Sequence, residues 1–357
     1  MSDVPQIPSW VHDNLKKGLV IPAHPLALTE QGAWDEAAQR ALSRYYLAAG
    51  AGGLAVGVHT TQFEIRAPEH LLLEPVLQLA AETAKETDRA AGTQTVLVAG
   101  ICGRTEQALT EAQWAQKHGY HLGLLSLAAW RDASEADILQ HCREVARVMP
   151  LFGFYLQPAV GGRLLSQAFW REFADIPNVC AIKIAPFNRY QTLDVIRAVA
   201  ESDRWQDVAL YTGNDDQIVV DLLSRWKFQI NGEERILGFS GGLLGHWAVW
   251  THQAVQMLAS IQTIRTNTGI PQEWFALANE VTESNAALFD AANGFRGCIA
   301  GIQQVLFEQG LLSSPRCLNP NERMSPGQAE LLEKVRKQYP HLVDDAFVAQ
   351  YKDEWLS

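Results

Sequence analysis

The chain has 357 residues, 47% of them hydrophobic and 19% charged, which is the make-up of a globular protein with a sizeable core. Its net charge of −11 argues against a nucleic-acid surface or an anionic membrane as partner, and no apolar run approaches the ~18 residues of a membrane span. The five cysteines, Cys102, Cys142, Cys180, Cys298 and Cys317, are an odd number with no CxxC pair. Three of them sit within apolar stretches, which suits buried thiols in a reducing compartment, and the first eighteen residues lack a basic-then-apolar leader, so a cytoplasmic location is expected.

In chain order, short apolar runs recur eight times: LVIP (19–22), GLAVGV (53–58), TVLVAGI (95–101), LGLLSL (122–127), LFGFYL (151–156), VCAIKI (179–184), VALYT (208–212) and RILGFS (235–240). Runs of this kind read as parallel strands buried on both faces. Between them lie segments of helical periodicity, such as AWDEAAQRALSRYYLAAG, which stops at Gly50, and TEQALTEAQWAQKHG, which opens on Thr105 and ends at Gly119. Eight alternations in about 240 residues fit a closed (β/α)8 TIM barrel better than an open doubly wound sheet. No GxGxxG or GxxxxGK[ST] fingerprint supports a nucleotide site. The stretch 224–235 carries an Asn231-Gly232 turn and reads as a small excursion. Residues 15–264 are therefore expected to form the barrel, and 265–357 a C-terminal helical extension packed on it.

One lysine stands inside the sixth run. Alternate residues of a barrel strand point inward and outward, and in CAIKIAP Lys183 shares its parity with Ala181 and Ala185, opposite Ile182 and Ile184. In the fifth run Gly153 and Tyr155 share one parity, Phe152 and Phe154 the other. Strand alternation thus predicts Lys183 and Tyr155 facing inward on adjacent strands, near the C-terminal mouth where barrel enzymes place their sites. A dry pocket disfavours an ammonium and frees an amine to capture a carbonyl as a Schiff base, with a nearby phenol relaying protons. A lysine paired with a buried carboxylate, or snorkelling at the strand end, explains the same residue structurally, and an ordinary core tyrosine explains Tyr155.

The ordered set of motifs resembles the dihydrodipicolinate synthase and N-acetylneuraminate lyase family of Schiff-base-forming class I aldolases. FYLQPAVGG resembles the family's Y-x-x-P segment through Tyr155 and Pro158, VCAIKIAPFNRYQTL its lysine strand, and ALYTGNDDQ the following Gly-Asp-Asp signature. The resemblance implies an imine between Lys183 and pyruvate or another 2-oxo acid, with Tyr155 as proton relay and no separate cofactor. It also implies that HTTQF stands for the turn that holds the substrate carboxylate, which carries Thr60 and Thr61 across as binding residues, with His59 beside them. Gly238 and Ser240 would bring backbone close to the substrate. Family members are usually homo-oligomers, tetramers or dimers.

The departures narrow the expectation. His59, Gln62 and Phe63 replace the two glycines and the glutamate of that turn, so a turn that needs positive φ at those glycines has lost them. Trp130 stands where synthases carry a second relay tyrosine, and an indole can only donate. Val160 stands where synthases carry an arginine for the second substrate, with Arg163 three residues on. The expected activity is an aldolase, hydratase-aldolase or dehydratase acting on a 2-oxo acid, with an aldehyde as a further partner, and other than dihydrodipicolinate synthase itself. The alternative is a metabolite-binding barrel that kept the lysine and lost turnover. A metal-dependent aldolase would need HxH or HExxH clusters, and the ten histidines are scattered, so no metal is expected. Trp247 and Trp250 read either as core or contact residues or as walls of a pocket for a bulky acceptor.

Overall fold

The computed structural model describes residues 5–357, so the first four of the eighteen N-terminal residues read for a leader lie outside it. Ten strands occur among the described residues: β1 (Val20–Pro22), β2 (Gly53–Val56), β3 (Val96–Ile101), β4 (Leu122–Leu125), β5 (Leu151–Leu156), β6 (Val179–Ala185), β7 (Ala209–Thr212), β8 (Trp226–Ile230), β9 (Glu233–Leu237) and β10 (Gly241–Leu244). Eight of them form one sheet in the order β1-β10-β7-β6-β5-β4-β3-β2. Its two end strands meet: the Gly52 N–H donates to Val20 O, the His24 N–H donates to Ala55 O, and Ala23 bridges Ala55 in parallel. The result is a nearly closed parallel barrel, as the alternation of runs predicts.

Seven of the eight expected strands stand where the apolar runs place them. The eighth does not. RILGFS falls in β9 and the turn after it, and β9 pairs antiparallel with β8 as a separate hairpin, Trp226 opposite Leu237 and Ile230 opposite Glu233, around the Asn231-Gly232 turn. The barrel strand is the shorter GGLL of β10, whose Gly241 and Gly242 pair with Tyr211 and Thr212. Two glycines made it look like a loop. Gly241 is required by close packing, because a Cβ there would stand 2.3 Å from Leu19 O and 3.0 Å from the Tyr211 ring.

The chain divides into two compact units, one made of residues up to Leu19 with Val98–Gly242, the other of Val20–Leu97 with Leu243–Ser357. In the first, Leu124, Phe152, Ala181 and Ala209 are successive register partners across β4 to β7. Phe152 meets the Tyr211 ring edge-on at 5.3 Å from two strands away, which places this parity inside the barrel. The opposite parity faces the helices: a Cβ on Gly153 would strike Phe173 of the helix Gln167–Ala174. In the second unit, the helices after Ile264 cluster with the β1–β2 segment. Gln303 Nε2 donates to Leu26 O, and buried Asp344 accepts from Tyr45 Oη at 2.7 Å, the His252 N–H at 3.1 Å and Gln309 Nε2 at 3.0 Å.

Candidate active site

Lys183 lies near the C-terminal end of β6, 8% exposed, on the inward parity with Ala181 and Ala185. Its register partners are Phe154 on β5 and Tyr211 on β7. The Nζ sits 4.6 Å from the centre of the Phe154 ring, over its face. The aliphatic stem crosses Gly213, just beyond the end of β7, where an added Cβ would stand 2.6 Å from Lys183 Cε and 2.7 Å from Ala185 Cβ. The lysine therefore occupies a slot walled by a phenyl ring on one side and bare backbone on the other.

Tyr155 is not its neighbour in that slot. The pairing of β5 with β6 starts as Leu151 with Val179, which would bring Tyr155 opposite Lys183, but β6 then carries one extra residue, Cys180, so that Phe152 pairs with Ala181 and Phe154 with Lys183. A one-residue bulge changes every later pairing. Tyr155 pairs with Ile184 and points to the helix layer, where its ring lies 5.0 Å from Trp170 and its Oη accepts from the Leu165 N–H at 3.4 Å. Burial raises its phenol above the ordinary value, and Asp194 and Glu135 raise it further. The expectation that Tyr155 faces the barrel interior is corrected: the two phenylalanines of FGFY face inward. Tyr211 is the phenol on the inward parity, but its Oη donates to Leu15 O at 3.0 Å, toward the helix Ser9–Lys17 that precedes β1.

Gly238 and Ser240 also fall elsewhere. The Ser240 N–H donates to Leu210 O near the start of β7, whereas the Lys183 stem lies on Gly213 past its end, three residues or roughly 10 Å along the strand. Gly238 lies against Ser224 O and the Arg225 side chain beside the hairpin. Both precede the eighth barrel strand instead of following it, so neither belongs to the C-terminal mouth. Arg163 donates to Trp130 O at 3.0 Å and Ala133 O at 2.7 Å, a loop tie. Trp130 lies between the Arg104 guanidinium at 4.4 Å and the His141 ring at 4.7 Å.

In the second unit, His59, Thr60 and Thr61 form a single 3-10 turn after β2. Its left-handed step survives without glycine: Gln62 has φ +67°, and its buried Oε1 accepts from the Leu318 N–H at 2.6 Å. Both threonine hydroxyls donate to backbone, Thr60 to Ala23 O at 2.8 Å and Thr61 to His24 O at 2.6 Å, while Thr61 Oγ1 also accepts from the Gly57 and Val58 N–H groups. His59 is half-buried, its ring tilted on Phe63 at 5.9 Å. Trp247 and Trp250 are buried, and with His246, Met257 and Trp274 they line a cavity of about 210 Å³ in this unit.

Two residues of the slot escape a reading by alternation. Phe154 has no sequence signal, because the bulge at Cys180 is silent; Gly213 has one, as the glycine of the Gly-Asp-Asp-like segment at a strand end.

A family model described as the dihydrodipicolinate synthetase family matches residues 16–227, more than half of the chain. The chain belongs to the dihydrodipicolinate synthetase family. Within this family it is similar to N-acetylneuraminate lyase 2 of Escherichia coli O6:H1 (strain CFT073), 24% identical over 326 residues that cover 88% of this chain and 92% of that protein. The N-acetylneuraminate lyase of Fusobacterium nucleatum, solved with pyruvate, shares the dihydrodipicolinate synthetase-family fold at TM-score 0.69 and 17% identity, over 91% of this chain and 98% of that one. YagE of E. coli K12, a prophage protein of the same family also solved with pyruvate, matches at TM-score 0.71 and 17% identity, over 90% and 97%. Relatives matched along most of the chain bear enzyme names, which lends the reading of a barrel without turnover no support. Among the described residues no group of three His, Cys, Asp or Glu side chains could hold a metal, and no helix is long and apolar enough to cross a membrane.

Proposed function

We propose that the protein is a Schiff-base-forming lyase that captures pyruvate or a related 2-oxo acid on Lys183. The observation that carries this reading is the lysine itself: a buried amine on the inward face of β6, near the C-terminal strand ends, with an apolar ring on one side and bare backbone on the other. The amine adds to the C2 carbonyl, and the carbonyl oxygen takes one proton from the amine and one from solvent and leaves as water. The cationic iminium then accepts the electrons of the C3–C4 bond, releasing an aldehyde, or of a C3–H bond, giving an enamine that expels a C4 hydroxyl as water once it is protonated. An activity other than dihydrodipicolinate synthase fits the fastening of Arg163 to Trp130 O and Ala133 O in the loop that follows β4. A cavity of about 220 Å³ lined by Asn188, Arg189, Thr192, Asn214, Asp216 and Gln217 begins one residue beyond Gly213. Each of its lining side chains carries a polar group, which favours a hydroxylated aldehyde over an aromatic one as the second reactant.

The test is reductive trapping. With pyruvate and borohydride, peptide mass analysis is expected to find one pyruvyl adduct, on Lys183, and none in Lys183→Ala. A wild type left unmodified by pyruvate and by a panel of other 2-oxo acids, under conditions that label a control aldolase, contradicts the proposal. Assays of the same panel with sugar-derived and aromatic aldehydes would then identify the partner.

A further inference from the structure

We infer that Phe154 and Gly213 are the positioning residues of Lys183, and that Tyr155 takes no part in aiming it. The inference rests on Lys183 being the residue that forms the imine. A lysine side chain has four rotatable bonds, and most of its rotamers would leave Nζ unable to reach a bound carbonyl in line. Two features of the slot remove that freedom. At Gly213 the missing side chain is the space the stem occupies: a methyl there would come within 2.6 Å of Cε and 2.7 Å of Ala185 Cβ, and the second of these atoms cannot swing away. At the other end, the face of the Phe154 ring lies 4.6 Å from Nζ. An aromatic face attracts an ammonium, an iminium and, more weakly, an amine N–H, so it holds the nitrogen in the same place before and after the carbonyl is captured.

The same geometry removes Tyr155 from the arrangement. Its ring packs on Trp170, on the opposite face of β5, and its hydroxyl is held by the Leu165 N–H in the loop that leads to the helix Gln167–Ala174. Ser166, the next residue, is fixed in turn by Glu135, which accepts from its N–H at 2.7 Å and its Oγ at 2.6 Å.

The experiment measures the rate of borohydride trapping with pyruvate, at saturation and as a function of concentration, in variants checked by thermal unfolding. Gly213→Ala is expected to slow saturated trapping at least tenfold while the half-saturating pyruvate concentration stays within about threefold, because aim is lost and binding is not. Phe154→Leu keeps apolar bulk without the ring face and is expected to slow trapping on the order of three- to tenfold, whereas Phe154→Tyr restores the wild-type rate. Tyr155→Phe is expected to trap as the wild type does. Wild-type rates in both Gly213→Ala and Phe154→Leu, or a tenfold loss in Tyr155→Phe, overturn the inference while the imine on Lys183 stands. A wild type that pyruvate does not label at all removes the imine and this inference together.

Discussion

At the scale of single residues, the lysine was legible and its company was not. Lys183 stood out because a charge inside a run of buried residues demands a reason, and parity alone put it on the inward face. Tyr155 departs from the alternation because that rule assumes an unbroken register, and Cys180 breaks it by one residue. Nothing about a cysteine among Val179, Ala181 and Ile182 marks a bulge. The HTT turn shows the reverse. Replacing glycine by Gln62 argued for a changed shape, yet the side chain's bond to Leu318 N holds the left-handed backbone. Thr61 carries that turn, since one hydroxyl serves three backbone groups. Thr61→Val keeps the shape and loses all three bonds, and it is expected to cost about 2–4 kcal/mol in urea unfolding. A cost below about 0.5 kcal/mol would mean the turn is held by its backbone bonds alone.

At the scale of elements, apolar runs located the strands that are rich in Val, Leu and Ile, and missed the one built from glycine and leucine. RILGFS looked like a better strand than GGLL, and it is a strand, but in a hairpin outside the barrel. Position in the barrel is decided by which backbone can approach Leu19 and Tyr211, and only a glycine fits there. Gly241→Ala is therefore expected to destabilise the fold by about 2 kcal/mol or more, through overpacking against backbone that cannot yield. An unchanged denaturation midpoint would show that β10 has room to shift. The helices after residue 264 were legible as helices from their periodicity. Their allegiance was not, because it depends on contacts such as Tyr45 Oη to Asp344, three hundred residues apart in the chain, which no local pattern encodes.

At the scale of the whole molecule, buried imidazoles give the fold a defined acid limit. Desolvation lowers both His24 and His246 from 6.5 to about 4, and both are buried. A histidine whose folded value lies below its unfolded one stabilises the fold fully above 6.5 and loses that contribution as pH falls toward 4. The buried carboxyls Asp216, Asp221 and Asp344, pushed up chiefly by desolvation, act in the opposite sense, so the bulk unfolding curve mixes the two. The imidazole part is read directly by nuclear magnetic resonance titration, in which the His24 and His246 rings are expected to stay neutral down to about pH 5. Either ring titrating near 6.5 in the folded protein would contradict the burial argument. The barrel as a whole was legible because eight alternations of strand and helix leave few closed arrangements. The chemistry was legible only as far as one lysine and an ordered set of motifs could carry it.

The most direct measurement is a crystal structure of the protein reduced with borohydride in the presence of pyruvate. Continuous density is expected from Lys183 Nζ to C2 of the bound acid, with the Phe154 ring beneath the nitrogen and Tyr155 still packed on Trp170. An unmodified Lys183 with pyruvate bound elsewhere, or a Tyr155 hydroxyl turned in against the adduct, would contradict the account.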